Sequence, residues 1–370
     1  MKRILSAVLG LMMLLLSACS VAPLRVQSPK EYFEGDTKLS VHFIDVGQGD
    51  ATLLQSDGEF VLIDAGEREY GATVVDYIEA CGADSLKYVI ATHPHSDHVG
   101  GLVEVIRDLD CENFITCETD QSTATWLNVL KAVDTYDLNY IDAEVGDTYT
   151  FGSAAFTILA PLSDSYSGYN NYSVVTKVTC GDVSFMLTGD AEKASEGEMV
   201  NAGEDLSADV LKCGHHGSST ATTWSFLSEV NPRYAVISCG ADNEYGHPHT
   251  ETIRNLDLMG VPYYRTDIYG TIVARTDGSG LLFSSEYGEI ENEDILIADT
   301  ASTEAPTAAP DTAAPDTAVA AAYIGNRNSY VFHLPSCTGV ATMSEHNRVT
   351  FSTRREAIDA GYHPCGKCNP

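Results

Sequence analysis

Residues 39–46 alternate apolar and polar side chains and favour β-branched and aromatic types, which predicts a half-buried strand. Residues 51–55 and 60–63 repeat the signal across Asp57-Gly58, so the chain opens as a β-meander. Val74, Ile78 and Cys81 share one face of a short helix. Tyr88, Val89, Ile90 and Ala91 predict another strand. After it, Leu102, Val105, Ile106 and Leu109 fall at i, i+3, i+4 and i+7, the stripe of a helix that buries one side. A helix follows at 126–133 and strands at 149–159, then a polar, Tyr-rich loop at 163–171. Strands at 174–179 and 183–187 flank Gly181-Asp182 as a hairpin. Helices at 192–200 and 223–230 bracket a strand at 208–212, and strands at 234–238 and 271–275 complete the pattern. On its own this periodicity gives a mixed α/β class.

Both flanks depart from the pattern. Lys2 and Arg3 precede an apolar run at 4–16 that is short for a spanning helix and ends in Leu16-Ser17-Ala18-Cys19. This resembles a bacterial lipoprotein signal. Residues 1–19 are thus read as a signal peptide, Cys19 as the lipidated residue and 20–36 as a tether to the outer face of the membrane. The alternative is an ordinary cleaved signal with an incidental cysteine. Residues 289–322 are acidic and rich in Ala, Thr and Pro, with Ala-Pro-Asp-Thr-Ala repeated and no Lys or Arg, and read as a linker. The domain boundaries are accordingly 37–288 and 323–370.

The 370 residues carry 53 acids against 21 Lys and Arg, a formal charge of −32. A nucleic-acid coat protein or an anionic-membrane binder needs a basic face, and this balance argues against both. It leaves room for a nuclease whose metal ions neutralise phosphate locally. Of ten cysteines, Cys81, Cys111, Cys117, Cys180, Cys213 and Cys239 are scattered singly and read as buried small apolar residues, with a Cys111–Cys117 pairing left open.

The candidate chemistry centres on His93-x-His95-x-Asp97-His98, between the strand at 88–91 and the following helix. A strand-to-helix turn lets side chains converge on a point. Imidazoles with a carboxylate suit Zn, Mn or Fe, whereas Ca and Mg sites are built from oxygen.

This signature resembles the metallo-β-lactamase fold. More narrowly, residues 39–288 resemble the hydrolase domain of the bacterial competence proteins that pass DNA through the membrane. The likeness rests on 43–51, 62–66, 187–190, 212–218, 245–248 and 265–267, in that order. It implies a four-layer αββα sandwich and a hydrolase with two divalent ions, Zn or Mn. His93 and His95 would hold one ion and Asp97 and His98 the other. Asp190 would bridge them, and His215 would complete the ligands of the second ion, with His216 behind those ligands or on substrate. The wider fold supplies a third His to the first ion, but no His occurs between Val99 and Asp190. Asn170 or Asn171 falls there, and Asn171 is taken as the ligand, a harder and weaker one than imidazole. A site with one ion stays open. Asp64 is read as a brace for the metal turn, and Asp45 and Asp50 as structural residues of a Gly-rich turn.

The expected reaction is attack of metal-activated water on a phosphodiester, with Asp97 orienting the nucleophile and His247 contacting phosphate or protonating the leaving oxygen. DNA is the favoured substrate. A teichoic-acid or choline-type phosphodiester is the alternative, and β-lactams fit less well. From another class, the chain could be a non-enzymatic surface DNA-binding protein.

In the C-terminal piece, His333-x3-Cys337 and Cys365-x2-Cys368 have structural-zinc spacing, with a short helix expected at 354–360. A unit this small buries little core, so one zinc would stabilise it. It resembles the zinc-binding module of the Ada DNA-repair protein, with His333 in place of a Cys. That exchange keeps a ligand and removes a thiolate that methyl-acceptor chemistry would need.

Overall fold

A computed structural model describes residues 37–287, 290, 323–327, 331–335, 337–341, 343–352, 357 and 362–365. The signal segment with Cys19, the tether, the linker apart from Ile290, Cys368 and most of the helix expected at 354–360 lie outside the described residues.

Two sheets make the main domain. The first has eight strands in the order β15-β14-β1-β2-β3-β4-β5-β6. These are β1 (Leu39–Phe43), β2 (Thr52–Ser56), β3 (Glu59–Ile63), β4 (Ser85–Ile90), β5 (Asp110–Thr116), β6 (Asn139–Asp142), β14 (Ile272–Thr276) and β15 (Leu282–Ser285). The second has seven, in the order β13-β12-β11-β10-β9-β8-β7. They are β7 (Thr148–Phe151), β8 (Ala154–Ala160), β9 (Val175–Cys180), β10 (Val183–Leu187), β11 (Val210–Lys212), β12 (Tyr234–Ile237) and β13 (Tyr263–Arg265). Each sheet joins an antiparallel part to a parallel run, β3 to β6 in one and β10 to β13 in the other.

Alternation along the strands sorts side chains into three cores. Val41, Phe43 and Leu54 of the first sheet meet Phe156, Val178 and Phe185 of the second. The opposite face of the first sheet, with Leu53, Leu62 and Val89, packs on helices α1 (Gly71–Ala80), α2 (Leu102–Asp108) and α3 (Ala124–Thr135). The outer face of the second, with Met186 and Leu211, packs on α4 (Lys193–Ala202), α5 (Trp224–Val230) and α6 (Thr250–Met259). The layers are therefore helix, sheet, sheet, helix, as the resemblance implies. No helix among the described residues is long and apolar enough to cross a membrane.

Several elements escape the periodicity. β6 is mostly exposed, so it has no apolar alternation to read. β13 has only three residues, and α6 buries just Thr252 and Leu256. Cys111 in β5 and Cys117 just past its end both carry free, buried thiols, so that pair forms no disulfide. The C-terminal piece is a four-stranded sheet of β16 (Tyr323–Asn326), β17 (Val331–His333), β18 (Arg348–Phe351) and β19 (His363–Pro364), ordered β18-β16-β17-β19.

One buried carboxyl fastens the outer helices together. Glu196, in the first turn of α4, is fully buried and accepts hydrogen bonds from Thr222 N at 2.5 Å and Thr223 N at 2.9 Å, just ahead of α5. Burial, opposed by those N–H groups, raises its pKa from 4.5 to about 7. The folded state thus holds this proton more tightly than the unfolded state. Its contribution to stability should fall as pH rises from 4.5 to about 7, by at most about 3 kcal/mol. Urea titrations at pH 5 and pH 8 should show wild type losing more stability across that interval than Glu196→Gln. Equal losses would contradict the assignment.

Candidate metal centre

Most of the centre lies just beyond the carboxyl ends of parallel strands. Asp64 follows β3, His93 to His98 follow β4, Asp190 follows β10 and His216 follows β11. In open α/β sheets that edge is where ligands gather.

Asp64 organises the first turn. Buried at 1 % exposure, it accepts from Thr92 N (2.9 Å), Thr92 Oγ1 (2.6 Å) and His98 Nδ1 (2.7 Å). In the neutral ring the His98 proton therefore sits on Nδ1, which leaves Nε2 free to ligate. Thr92 spends its hydroxyl proton on Asp64 and can only accept from His93 Nδ1 at 3.1 Å. His93 Nε2 is bare by the same logic and lies 2.9 Å from His95 Nδ1. Asp64 thus holds the bracing position read from the sequence, a carboxylate behind a histidine that sets its tautomer.

Asp190 divides the site. Its Oδ1 lies 3.2 Å from His98 Nε2 and 3.5 Å from His216 Nε2, and its Oδ2 lies 3.8 Å from His93 Nε2. One carboxylate thereby faces two groups of donors, His93 with His95 and His98 with His216. Asp97 reaches the second group, with Oδ2 3.2 Å from His216 Nε2 and 3.9 Å from His98 Nε2.

Two residues read as ligands from the sequence also face other groups. His215 sits nearer the rim, with Nε2 3.7 Å from Asp190 Oδ2 and Nδ1 3.1 Å from both Glu192 Oε1 and Thr220 Oγ1. His216 is 1 % exposed and points inward, its Nδ1 donating to Ser238 O at 3.0 Å and its Nε2 facing the cage. The backbone explains the difference. Both histidines have left-handed φ, 50° and 53°, so the tight turn sends successive side chains in different directions. Asn171, the other residue, turns its amide oxygen toward α4. Its Oδ1 accepts from Glu192 N and Ser195 N and caps α4. Asn170 is the amide that lies against His215, with its Nδ2 3.3 Å from Nδ1.

Two residues not assigned to the site from sequence lie behind the imidazoles. Lys212, 2 % exposed, places Nζ 2.5 Å from Asp50 Oδ2 and donates to Gly189 O and Cys213 O. Asp50 approaches the Nδ1 edge of His216 at 3.5 Å, away from the Nε2 atoms that converge. Its turn rests on the metal loop through Asp50 N to Asp97 O, 3.1 Å. A side chain at Gly49 would collide with that same carbonyl. A buried lysine in the run 210–212 had no periodic signal, and only its neighbourhood to the two histidines could have marked it.

The cage is anionic. Asp50, Asp64, Asp97 and Asp190 face one ammonium, Lys212. Burial opposes charge on His98 and His216, yet Asp190 with Asp64 and Asp97 holds His98 well above the imidazole range, and Asp190 with Asp50 pushes His216 to about 10. Burial raises the pKa of Asp190, but His216 and His98 outweigh it and hold the carboxyl well below the usual range. Burial and then His98 keep His93 neutral. Imidazoles and carboxylates converging in a space that demands positive charge fit divalent metal ions, which take the place of the Nε2 protons.

The profile of the family described as the metallo-beta-lactamase superfamily matches residues 44–241. The chain belongs to the metallo-β-lactamase superfamily. The profile of the metal binding domain of Ada matches residues 312–370. Among curated relatives, ComE operon protein 3 of Bacillus subtilis is 30 % identical over 64 % of this chain and 33 % of its own length. Recombination protein 2 of Haemophilus influenzae is 30 % identical over 63 % of this chain and 28 % of its own. Competence protein ComA of Neisseria gonorrhoeae is 28 % identical over 64 % of this chain and 32 % of its own. The chain thus spans about a third of the length of these relatives.

A metallo-β-lactamase domain related to competence proteins is a metal-dependent hydrolase fold, and the Ada-like module is a zinc-binding one. In that module His333, Cys337 and Cys365 converge within 4.8 Å. His333 Nδ1 is buried without a hydrogen bond, and burial lowers its pKa, so it stays neutral and ready to ligate.

Metal content after dialysis distinguishes the two adjacent histidines. His216→Ala and Asp64→Asn should weaken metal affinity of the main site about 10- to 100-fold, with His215→Ala within about twofold of wild type. The reverse order for the histidines would restore His215 as the ligand.

Proposed function

We propose that the chain is a surface-anchored, metal-dependent phosphodiesterase whose substrate is DNA. The observation that carries the reading is the divided cage, with Asp190 shared between two donor groups and His247 at its rim. His247 is 8 % exposed, with its ring 6.1 Å from that of His216 and 5.4 Å from that of His215. Relatives named for competence and recombination support a nucleic-acid substrate. Lipidation at Cys19 would supply the anchor.

His93, His95 and Asp190 would hold one ion, and Asp97, His98, His216 and Asp190 the other. Such ions supply Lewis acidity toward phosphoryl oxygens and lower the pKa of water. The chain's own groups do the rest. Asp97, the most exposed carboxylate of the cage at 27 %, orients the attacking water by accepting its hydrogen bond. The water oxygen bonds to phosphorus, the ester P–O bond breaks, and the departing oxygen takes up a proton. His247 donates a hydrogen bond to phosphate or to that oxygen. Charge explains the division of labour. A chain of net charge −32 has no general attraction for polyanions, so phosphate binding depends on the loaded cage.

A second reading keeps the chemistry and changes the substrate to a choline-type or teichoic-acid phosphodiester. A cavity of about 440 Å³ at the end of β5 is lined by Trp126 and Tyr140 together with Glu118 and Asp142. Aromatic faces beside carboxylates suit an organic cation.

Hydrolysis of an aryl phosphodiester and of linear DNA should be measured for the chain from Lys30 onward, with Zn or Mn supplied separately. Both substrates should turn over, and His98→Ala should lose the activity. Turnover of the small ester alone would favour the envelope substrate. A loaded site with no turnover would exclude phosphodiesters and leave the binding-protein alternative.

A further inference from the structure

His247 belongs to a loop held with unusual economy. Asn243 Oδ1 accepts from His247 N at 2.9 Å, and Asn243 Nδ2 donates to His247 O at 2.7 Å and to Gly240 O at 2.9 Å. The loop's start is fixed from the other side, where Thr266 Oγ1 accepts from Cys239 N and donates to Cys239 O. Pro248 packs on Gly217, where a Cβ would come within 2.6 Å of the proline ring, and this seats His247 over the turn that carries His216.

The ring itself is addressed by Gln48, from the turn between β1 and β2. Gly240 N donates to Gln48 Oε1 at 3.1 Å. A backbone N–H has no other role, so the amide oxygen must face Gly240 and the NH₂ must face the other way. On that side lies His247 Nδ1, 3.3 Å from Gln48 Nε2. An amide NH₂ only donates, so Nδ1 must accept. The neutral ring then carries its proton on Nε2. Burial, followed by His216 and His215, keeps the ring neutral, with its pKa lowered to about 4. Among the described residues no hydrogen bond engages Nε2. The approach is close. A Cβ on Gly240 would come within 2.6 Å of Gln48 N, so only glycine allows the two loops this contact.

We propose that Gln48 is a positioning residue that locks His247 as the Nε2–H tautomer and so makes it a hydrogen-bond donor to an anionic oxygen at the centre. The site of that oxygen rests on the phosphodiesterase reading; the tautomer does not. A ring held this way cannot serve as general base through Nε2. It contributes by donating to a phosphoryl oxygen or to the oxygen that leaves. Gln48 touches neither and acts only through the ring.

The test is the imidazole ¹⁵N spectrum of the zinc-loaded full-length chain labelled at histidine, with His247→Asn to assign the ring. Wild type should show a pyrrole-type Nε2 and a pyridine-type Nδ1. Gln48→Glu keeps an acceptor for Gly240 N but removes the donor to Nδ1. It should lose that pattern and move a proton onto Nδ1. Turnover of the aryl phosphodiester by this variant should fall about 100-fold in kcat with KM within about twofold. Gln48→Met, which can fill the space without either hydrogen bond, should show a mixed tautomer with an intermediate loss. A wild-type ring protonated at Nδ1 alone, or a Gln48→Glu spectrum identical to wild type, would overturn the proposal. If the spectra behave as expected and no phosphodiester is turned over, the tautomer lock stands and the substrate reading fails.

Discussion

The buried carboxylate of Asp64 is the constraint on which the centre depends. It sits at the end of β3 with left-handed φ of 58° and takes three hydrogen bonds from the neighbouring strand's loop. Through Thr92 it turns His93, and directly it turns His98, so both rings present bare Nε2 atoms toward Asp190. Parallel pairing of β3 with β4 sets the spacing that lets one side chain do this. The second sheet answers with the same device in other atoms. Ser238 O, at the end of β12, takes the Nδ1 proton of His216. The site is thus a set of tautomers fixed from behind, at the facing edges of two sheets.

Charge is the complementary constraint. Four carboxylates crowd a space where Lys212 is the one fixed cation among the described residues, and His98 and His216 are pulled toward protonation to balance them. Divalent ions satisfy the same demand while leaving the imidazoles neutral. Lys212 and Asp50 form a buried pair whose partners cannot be removed singly without leaving an uncompensated charge. Its position under the Nδ1 edges ties the Gly-rich turn after β1 to the histidine turn after β11.

Much of this was legible in the sequence. The strand and helix stripes around His93 to His98 are local patterns, and the ligand spacing is local chemistry, so both survive reading along one dimension. What stayed hidden depends on three. Whether His215 or His216 turns inward is set by two consecutive left-handed backbones. Asn170 and Asn171 differ in the same way: Asn171 turns its oxygen to the start of α4, and Asn170 lies against His215. Asp50, Lys212 and Gln48 look like members of Gly-rich or apolar runs until the sheets bring their loops together. β5, β6, β13 and β15 were missed; β6 is exposed and β13 has three residues, so neither leaves an alternation to detect.

The proposed cage holds two ions that share Asp190. Anomalous diffraction from crystals of the zinc-loaded chain should show two peaks in the main domain, one beside His93 and His95 and one beside Asp97, His98 and His216, with Asp190 between them. A lone peak bound by His215 instead of His216, or no peak near Asp190 in a chain whose C-terminal module is loaded, would contradict it.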